Sequence, residues 1–200
     1  MSIKLGGIRI RMTPAFAVFF AVAANIFTDY AFLYSFLFSL LHEAVHLVSL
    51  RCFGIREAVL EFLPGGIKMS PEGMGGLSYK KTVICSLAAP LFNLMAGALF
   101  YGIFSLFGNT VCFECAVINF MLGGVNLLPL SFLDGGRAMT SVLSIFFDCF
   151  TVRKITAAVS IVTVITLFSV FFVLFCMKKY YLLLLFFCIY CVLGCMSDKL

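Results

Sequence analysis

His42-Glu43-Ala44-Val45-His46 holds both histidines of this 200-residue chain. At i and i+4 on a helix, two side chains share one face about 6 Å apart. Neutral imidazoles so placed can grip one metal ion from the same side. Glu43 stands beside the first of them, where a carboxylate can take a proton from an attacking water. This is the H-E-x-x-H pattern, whose chemistry is zinc-assisted hydrolysis of a peptide bond with the Glu as general base. Two histidines and five glutamates scattered over the chain would produce it in about one arrangement in 4,000, so chance is a poor explanation. The plainer alternative is a pair of hydrogen-bonded core histidines, and the neighbours argue against it. Residues 32–41 and 47–50 are almost wholly apolar, which puts the motif on a lipid-buried helix. Ionisable groups at membrane depth are costly and default to a functional role.

A catalytic zinc takes three protein donors and keeps one open position. No third histidine exists, so the third donor is Asp, Glu or Cys. Asp134 is the first candidate. It lies between apolar runs, after a helix-breaking Pro129 and before Gly135-Gly136, where the backbone can turn. The alternative for Asp134 is an N-cap of the helix that follows. Asp148 is the runner-up ligand. Asp29 and Glu114 fall on the opposite side of the membrane, and Glu57, Glu61 and Glu72 read as solvated loop charges.

The elements that must carry these residues are helices in lipid. The chain is 63% hydrophobic and 12% charged, with mean hydropathy +1.14, against about 45–50% and about 25% in soluble domains. The expectation is an all-α polytopic membrane protein. It is one domain over residues 1–200, with about six spans at 14–27, 31–53, 82–107, 111–126, 155–177 and 180–196. No appended soluble domain and no internal repeat are expected. Residues 3–12 alternate in hydropathy and suit a short strand or an interfacial segment. Residues 54–81 are rich in Gly and Pro. Within them, 56–63 and 67–70 flank Pro64-Gly65-Gly66 as a short β-hairpin or re-entrant segment near 55–70. An exposed strand edge there would suit an extended peptide, and Pro64, Gly65 and Gly66 are read as substrate-contacting. Asn93, an amide inside an apolar helix beside Pro90, is expected to face the bundle and joins that substrate-contacting set.

The net charge of +5 is an orientation signal rather than a nucleic-acid footprint. With six spans and the N-terminus inside, 12 of the 14 Lys and Arg residues are cytoplasmic and only Lys178 and Lys179 lie outside. Both termini and the metal site then sit nearer the cytoplasm. The nine cysteines read mainly as small hydrophobes. Cys112 and Cys115 form a single C-x-x-C without the second ligand pair that a zinc knuckle needs. The rival functional class is a metal-binding transporter or an inactive scaffold.

Three motifs in order, His42-Glu43-Ala44-Val45-His46, Ala89-Pro90-Leu91-Phe92-Asn93, and Asn126-Leu127-Leu128-Pro129 followed by Leu133-Asp134-Gly135-Gly136, resemble the site-2 protease family of intramembrane zinc metalloproteases. With Phe62-Leu63-Pro64-Gly65-Gly66 they look most like its short bacterial, sporulation-type branch, which processes a membrane-associated pro-sigma factor. The resemblance implies one zinc per chain held by His42, His46 and Asp134, Glu43 as catalytic base, and Asn126 as a polar contact to substrate. It also implies cleavage in or beside a transmembrane segment of a membrane-associated protein in a bacterial cell membrane, with a regulatory membrane partner or a homo-oligomer as further partners. The family often has Gly-Pro where this chain has Ala89-Pro90, and often a proline just before L-D-G. The branch commonly adds a nucleotide-binding domain, and none is expected after Leu200.

Overall fold

The computed structural model describes residues 2–5, 7–26, 30–63, 66–71, 77–177 and 182–197. The chain divides into two compact units, residues 1–125 and 126–200.

The first unit combines a sheet with four helices. β1 (Ser2–Leu5) and β2 (Ile8–Met12) are antiparallel. The turn between them passes through Gly7 at φ +87°, where a Cβ would sit 2.6 Å from the Arg56 carbonyl oxygen. β2 pairs in parallel with β3 (Ala58–Leu63), and β3 pairs antiparallel with β4 (Gly66–Pro71), Leu63 standing opposite Gly66. The strand order is β1-β2-β3-β4. Parallel neighbours need a long crossover. Here it is helical, α1 (Pro14–Ile26) followed by α2 (Tyr30–Cys52). Residues 3–12, expected as one short strand, instead carry two, β1 and β2, on either side of the turn at Gly7, and the crossover returns the chain so that β3 pairs with β2 in one four-stranded sheet. Pro64 and Gly65 lie outside the described residues.

At 23 residues, α2 is about 35 Å long, enough to cross a hydrocarbon core of about 30 Å. Its end is set by Gly54 at φ +89°. The Gly54 N–H donates to Arg51 O (3.0 Å) and the Ile55 N–H to Leu50 O (3.1 Å). That pair of bonds is a Schellman cap, which satisfies carbonyls the helix would otherwise leave open. α3 (Tyr79–Phe107) packs against α2 and ends at Gly108, φ 67°. α4 (Thr110–Asn126) follows. It comes close to α3 at Gly123, where a Cβ would lie 2.9 Å from the Pro90 carbonyl oxygen, and at Phe120, which lies against Gly97. Small residues at such crossings let helix backbones approach where lipid provides no hydrophobic drive.

The second unit holds α5 (Asp134–Phe146), α6 (Cys149–Cys176) and α7 (Leu182–Ser197). α6 is inside-out relative to a water-soluble helix. It buries Val152, Thr156 and Ser160 and exposes Phe150, Ile161, Val162, Ile165 and Phe172. The Ser160 hydroxyl donates to the Pro129 carbonyl at 3.4 Å. Polar groups turned inward and large apolar ones turned outward are what lipid selects. Among the described residues three helices are long and apolar enough to cross a membrane, namely α2, α3 and α6. α1, α4 and α7, expected as spans, have 13, 17 and 16 residues. The chain is a mostly helical membrane protein.

Candidate metal centre

The histidine site is built on one stripe of α2. Phe38, His42, His46 and Leu50 are its buried residues, four apart, so they follow one another along the face turned to α3. Phe38 closes the stripe on one side, its ring edge-on to Phe100 with centroids 5.6 Å apart. The two imidazoles lie 4.9 Å apart between centroids and nearly perpendicular, at 84°. Glu43 sits half-buried at the next position around the helix.

Hydrogen bonds settle which nitrogen of each ring carries the proton. His46 Nδ1 is 2.9 Å from the carbonyl oxygen of Cys85. A carbonyl only accepts, so Nδ1 is the N–H, which in the neutral ring leaves the lone pair on Nε2. His42 Nδ1 lies 2.6 Å from Asn93 Oδ1. An amide can be turned either way, but here its direction is set from behind. Asn93 Nδ2 donates to Asn119 Oδ1 (2.9 Å), and Asn119 Nδ2 donates to the Cys115 carbonyl (2.8 Å). The final acceptor cannot donate, so each amide has one consistent orientation and His42 Nδ1 is also an N–H. Both rings thus hold their lone pairs on Nε2. Metal-ligating histidines are held in this way, with the second nitrogen donating to a carbonyl or carboxylate. The site fits zinc, which takes imidazole nitrogen and carboxylate oxygen.

Asn93 and Asn119 are both fully buried. Among the described residues no buried side-chain nitrogen or oxygen lacks a hydrogen-bond partner. Asn93 faces the bundle as expected, but its amide is engaged with His42 and Asn119 and has no surface to offer a substrate. Asn119 was missed from sequence, although a lone amide in the apolar stretch of α4 is the same signal that marked Asn93. The Cys85 carbonyl has no signal in sequence, because any residue there supplies one.

In the second unit Asp134 is the first residue of α5 and is buried. Its Oδ1 is 3.5 Å from Arg137 Nη1, one turn on. It is not the helix cap, since Leu133 holds that position. Gly135 and Gly136 answer a steric need rather than a need for mobility. A Cβ on the first would strike the Leu127 carbonyl oxygen, and one on the second the Leu130 carbonyl oxygen. The turn after Pro129 lies directly against the start of α5. Asp148 has a different job. It caps α6, its carboxylate accepting from the Phe150 and Thr151 amides (3.0 and 3.2 Å) and from the Thr151 hydroxyl (2.6 Å). These bonds, the Thr151 hydroxyl foremost, hold its pKa below the usual carboxylate value. Exposed and committed to the cap, Asp148 is a poor runner-up ligand. Asn126 ends α4 and is half-buried, and Gly66 opens β4. Cys112 and Cys115 are not joined by a disulfide.

A lipid-type helix bearing H-E-x-x-H, with both imidazoles locked for Nε2 ligation, defines the class of a membrane metalloprotein. Residues 109–170 match Peptidase family M50. A zinc metalloprotease of Methanocaldococcus jannaschii is 26% identical over 169 residues, 78% of this chain and 49% of that protein. The chain therefore spans about half the length of that relative. The solved structure of a site-2 protease from Methanocaldococcus jannaschii superimposes with a TM-score of 0.70 at 22% identity, covering 100% of this chain and 96% of the other. The fold is that of a site-2 protease, and residues 109–170 are similar to the M50 peptidases.

Proposed function

We propose that this chain is a zinc-dependent intramembrane endopeptidase that hydrolyses a peptide bond in or beside a transmembrane segment of a membrane-associated protein. The observation that carries it is the pair of Nδ1-anchored histidines flanking Glu43 on a buried helix stripe. His42, His46 and Asp134 are the ligands in this reading. Asp134 is favoured by its burial, by its place in Leu-Asp-Gly-Gly, and by the commitment of Asp148 to its cap.

Zinc, when bound, supplies a Lewis acid and brings the pKa of a water to about 7. Glu43 takes the proton of the attacking water and returns it to the leaving amide nitrogen. The substrate must be extended at the scissile bond, because a helical backbone hides its carbonyls. An outer strand of the sheet offers backbone groups for such a segment, with Pro64, Gly65, Gly66 and Asn126 as the contacts. With six spans, taken from the apolar runs, the distribution of Lys and Arg supports cytoplasmic termini and a site nearer the cytoplasm. Pro-sigma or anti-sigma factor processing in a bacterial membrane is the finer reading, supported by the motif resemblance. A regulatory membrane partner or a second copy of the chain is consistent with it. The test is co-expression with single-span candidate substrates. Fragments that appear with the wild type and vanish with Glu43→Gln support the reading. A library that yields no Glu43-dependent fragment, from a protein that carries zinc, counts against it.

A further inference from the structure

The hydrogen-bond chain behind His42 links three helices, and its two side-chain members have no exposed surface. It runs from His42 on α2 to Asn93 on α3 and Asn119 on α4, and closes on the Cys115 carbonyl. Two buried amides in an apolar bundle are costly unless each is fully paired. His46 reaches the same end more simply, through a main-chain carbonyl that no side-chain substitution removes. The two ligands therefore differ in how they are held. His46 is fixed by backbone, His42 by a relay that ends two side chains away.

We propose that Asn119 is a positioning residue for zinc, acting through Asn93 to hold His42 in its Nδ1–H tautomer and ring orientation. This rests on the zinc-site reading above. The physical step is the amide flip. Without Asn119 Oδ1, nothing directs Asn93 Nδ2 away from His42. The Asn93 amide can then turn its NH₂ toward Nδ1, which must accept, and the imidazole proton moves to Nε2. That atom is the one needed for the metal. Gly123 lies one turn beyond Asn119 on α4, and its lack of a Cβ, which would sit 2.9 Å from the Pro90 carbonyl oxygen, lets α4 approach α3 closely enough for the amides to meet.

The experiment measures zinc affinity of the purified full chain in detergent by competition with a chromophoric chelator, without substrate. Asn119→Leu should weaken zinc binding roughly 10- to 100-fold, the range for losing an outer-shell hydrogen bond. Asn119→Asp, protonated in this apolar setting, can donate to Cys115 and accept from Asn93. It should restore affinity to within about threefold of wild type, since the pattern of donors is kept. A second readout is independent of zinc. Nitrogen-15 spectra of histidine-labelled, zinc-free wild type should show His42 as the Nδ1–H tautomer, assigned with His46→Gln, and Asn119→Leu should shift it toward Nε2–H. Unchanged zinc affinity in Asn119→Leu, or an Nε2–H tautomer for His42 in the wild type, overturns the proposal. If Asn119→Leu does not fold, Asn119→Ala takes its place in both readouts with the same expected and overturning results. A wild type that binds no zinc sinks the function reading, while the tautomer result stands by itself.

Discussion

At the residue scale, roles separate by what each atom is free to do chemically. Glu43 stands beside the proposed ligands and is the proposed base, so Glu43→Gln should keep zinc content near wild type and lower turnover by about 100-fold or more, the usual weight of a general base. Metal analysis and a cleavage assay on the same preparation check it, and loss of zinc would mean that Glu43 supports the site structurally. Asp134 and Asp148 give a paired comparison. Asp134→Asn should cost more zinc affinity than the roughly 10–100-fold lost with an outer hydrogen bond. Asp148→Asn should cost none, because Asn is an equally good cap. Full zinc binding by Asp134→Asn would remove it from the ligand set.

At the element scale, the cap on α6 makes a pH prediction. The carboxylate of Asp148 has its pKa lowered by the Thr151 hydroxyl and by the amides of the first turn. Its stabilisation is therefore complete above the unfolded-state value and is lost as pH falls through the lower folded-state value. Asp148→Ala should lower the melting temperature at pH 7, and the gap to wild type should close as the carboxylate protonates. A gap that persists at pH 2 would assign the effect to something other than the charge. The α3–α4 contact makes a steric prediction. A Cβ on Gly123 meets the Pro90 carbonyl at 2.9 Å, whereas one on Gly124 meets nothing within 4 Å. Gly123→Ala should destabilise by about 1–3 kcal/mol, the typical cost of overpacking, and Gly124→Ala should be tolerated. Equal melting temperatures for the two variants would show that α4 moves away without cost.

At the scale of the whole molecule, orientation is open to direct measurement. Alkaline phosphatase fused after Gly108 or Lys179 should be active, and fused after Gly76 or Asp148 inactive. The reverse pattern would put the N-terminus and the metal site on the outer side. The sequence by itself determined the membrane class, the metal motif and the three motifs that carry the site-2 protease resemblance. It could do so because lipid demands apolar runs and a metal demands His and acid at set spacings, both of which are one-dimensional patterns. The same is true of the chain breaks, where Gly54 and Gly108 take left-handed φ. Tertiary structure decided whatever depends on partners distant in the chain. It placed β2 beside β3 in parallel, because register across a 45-residue crossover leaves no trace in local alternation. It set Asn93 behind His42, and brought in Asn119 and the Cys85 carbonyl. It made Asp148 the cap and left Asp134 buried at the start of α5. An amide or a carboxylate looks the same in sequence whether it ligates, caps or supports. Only the atoms within about 3 Å, the hydrogen-bond distance, distinguish those roles.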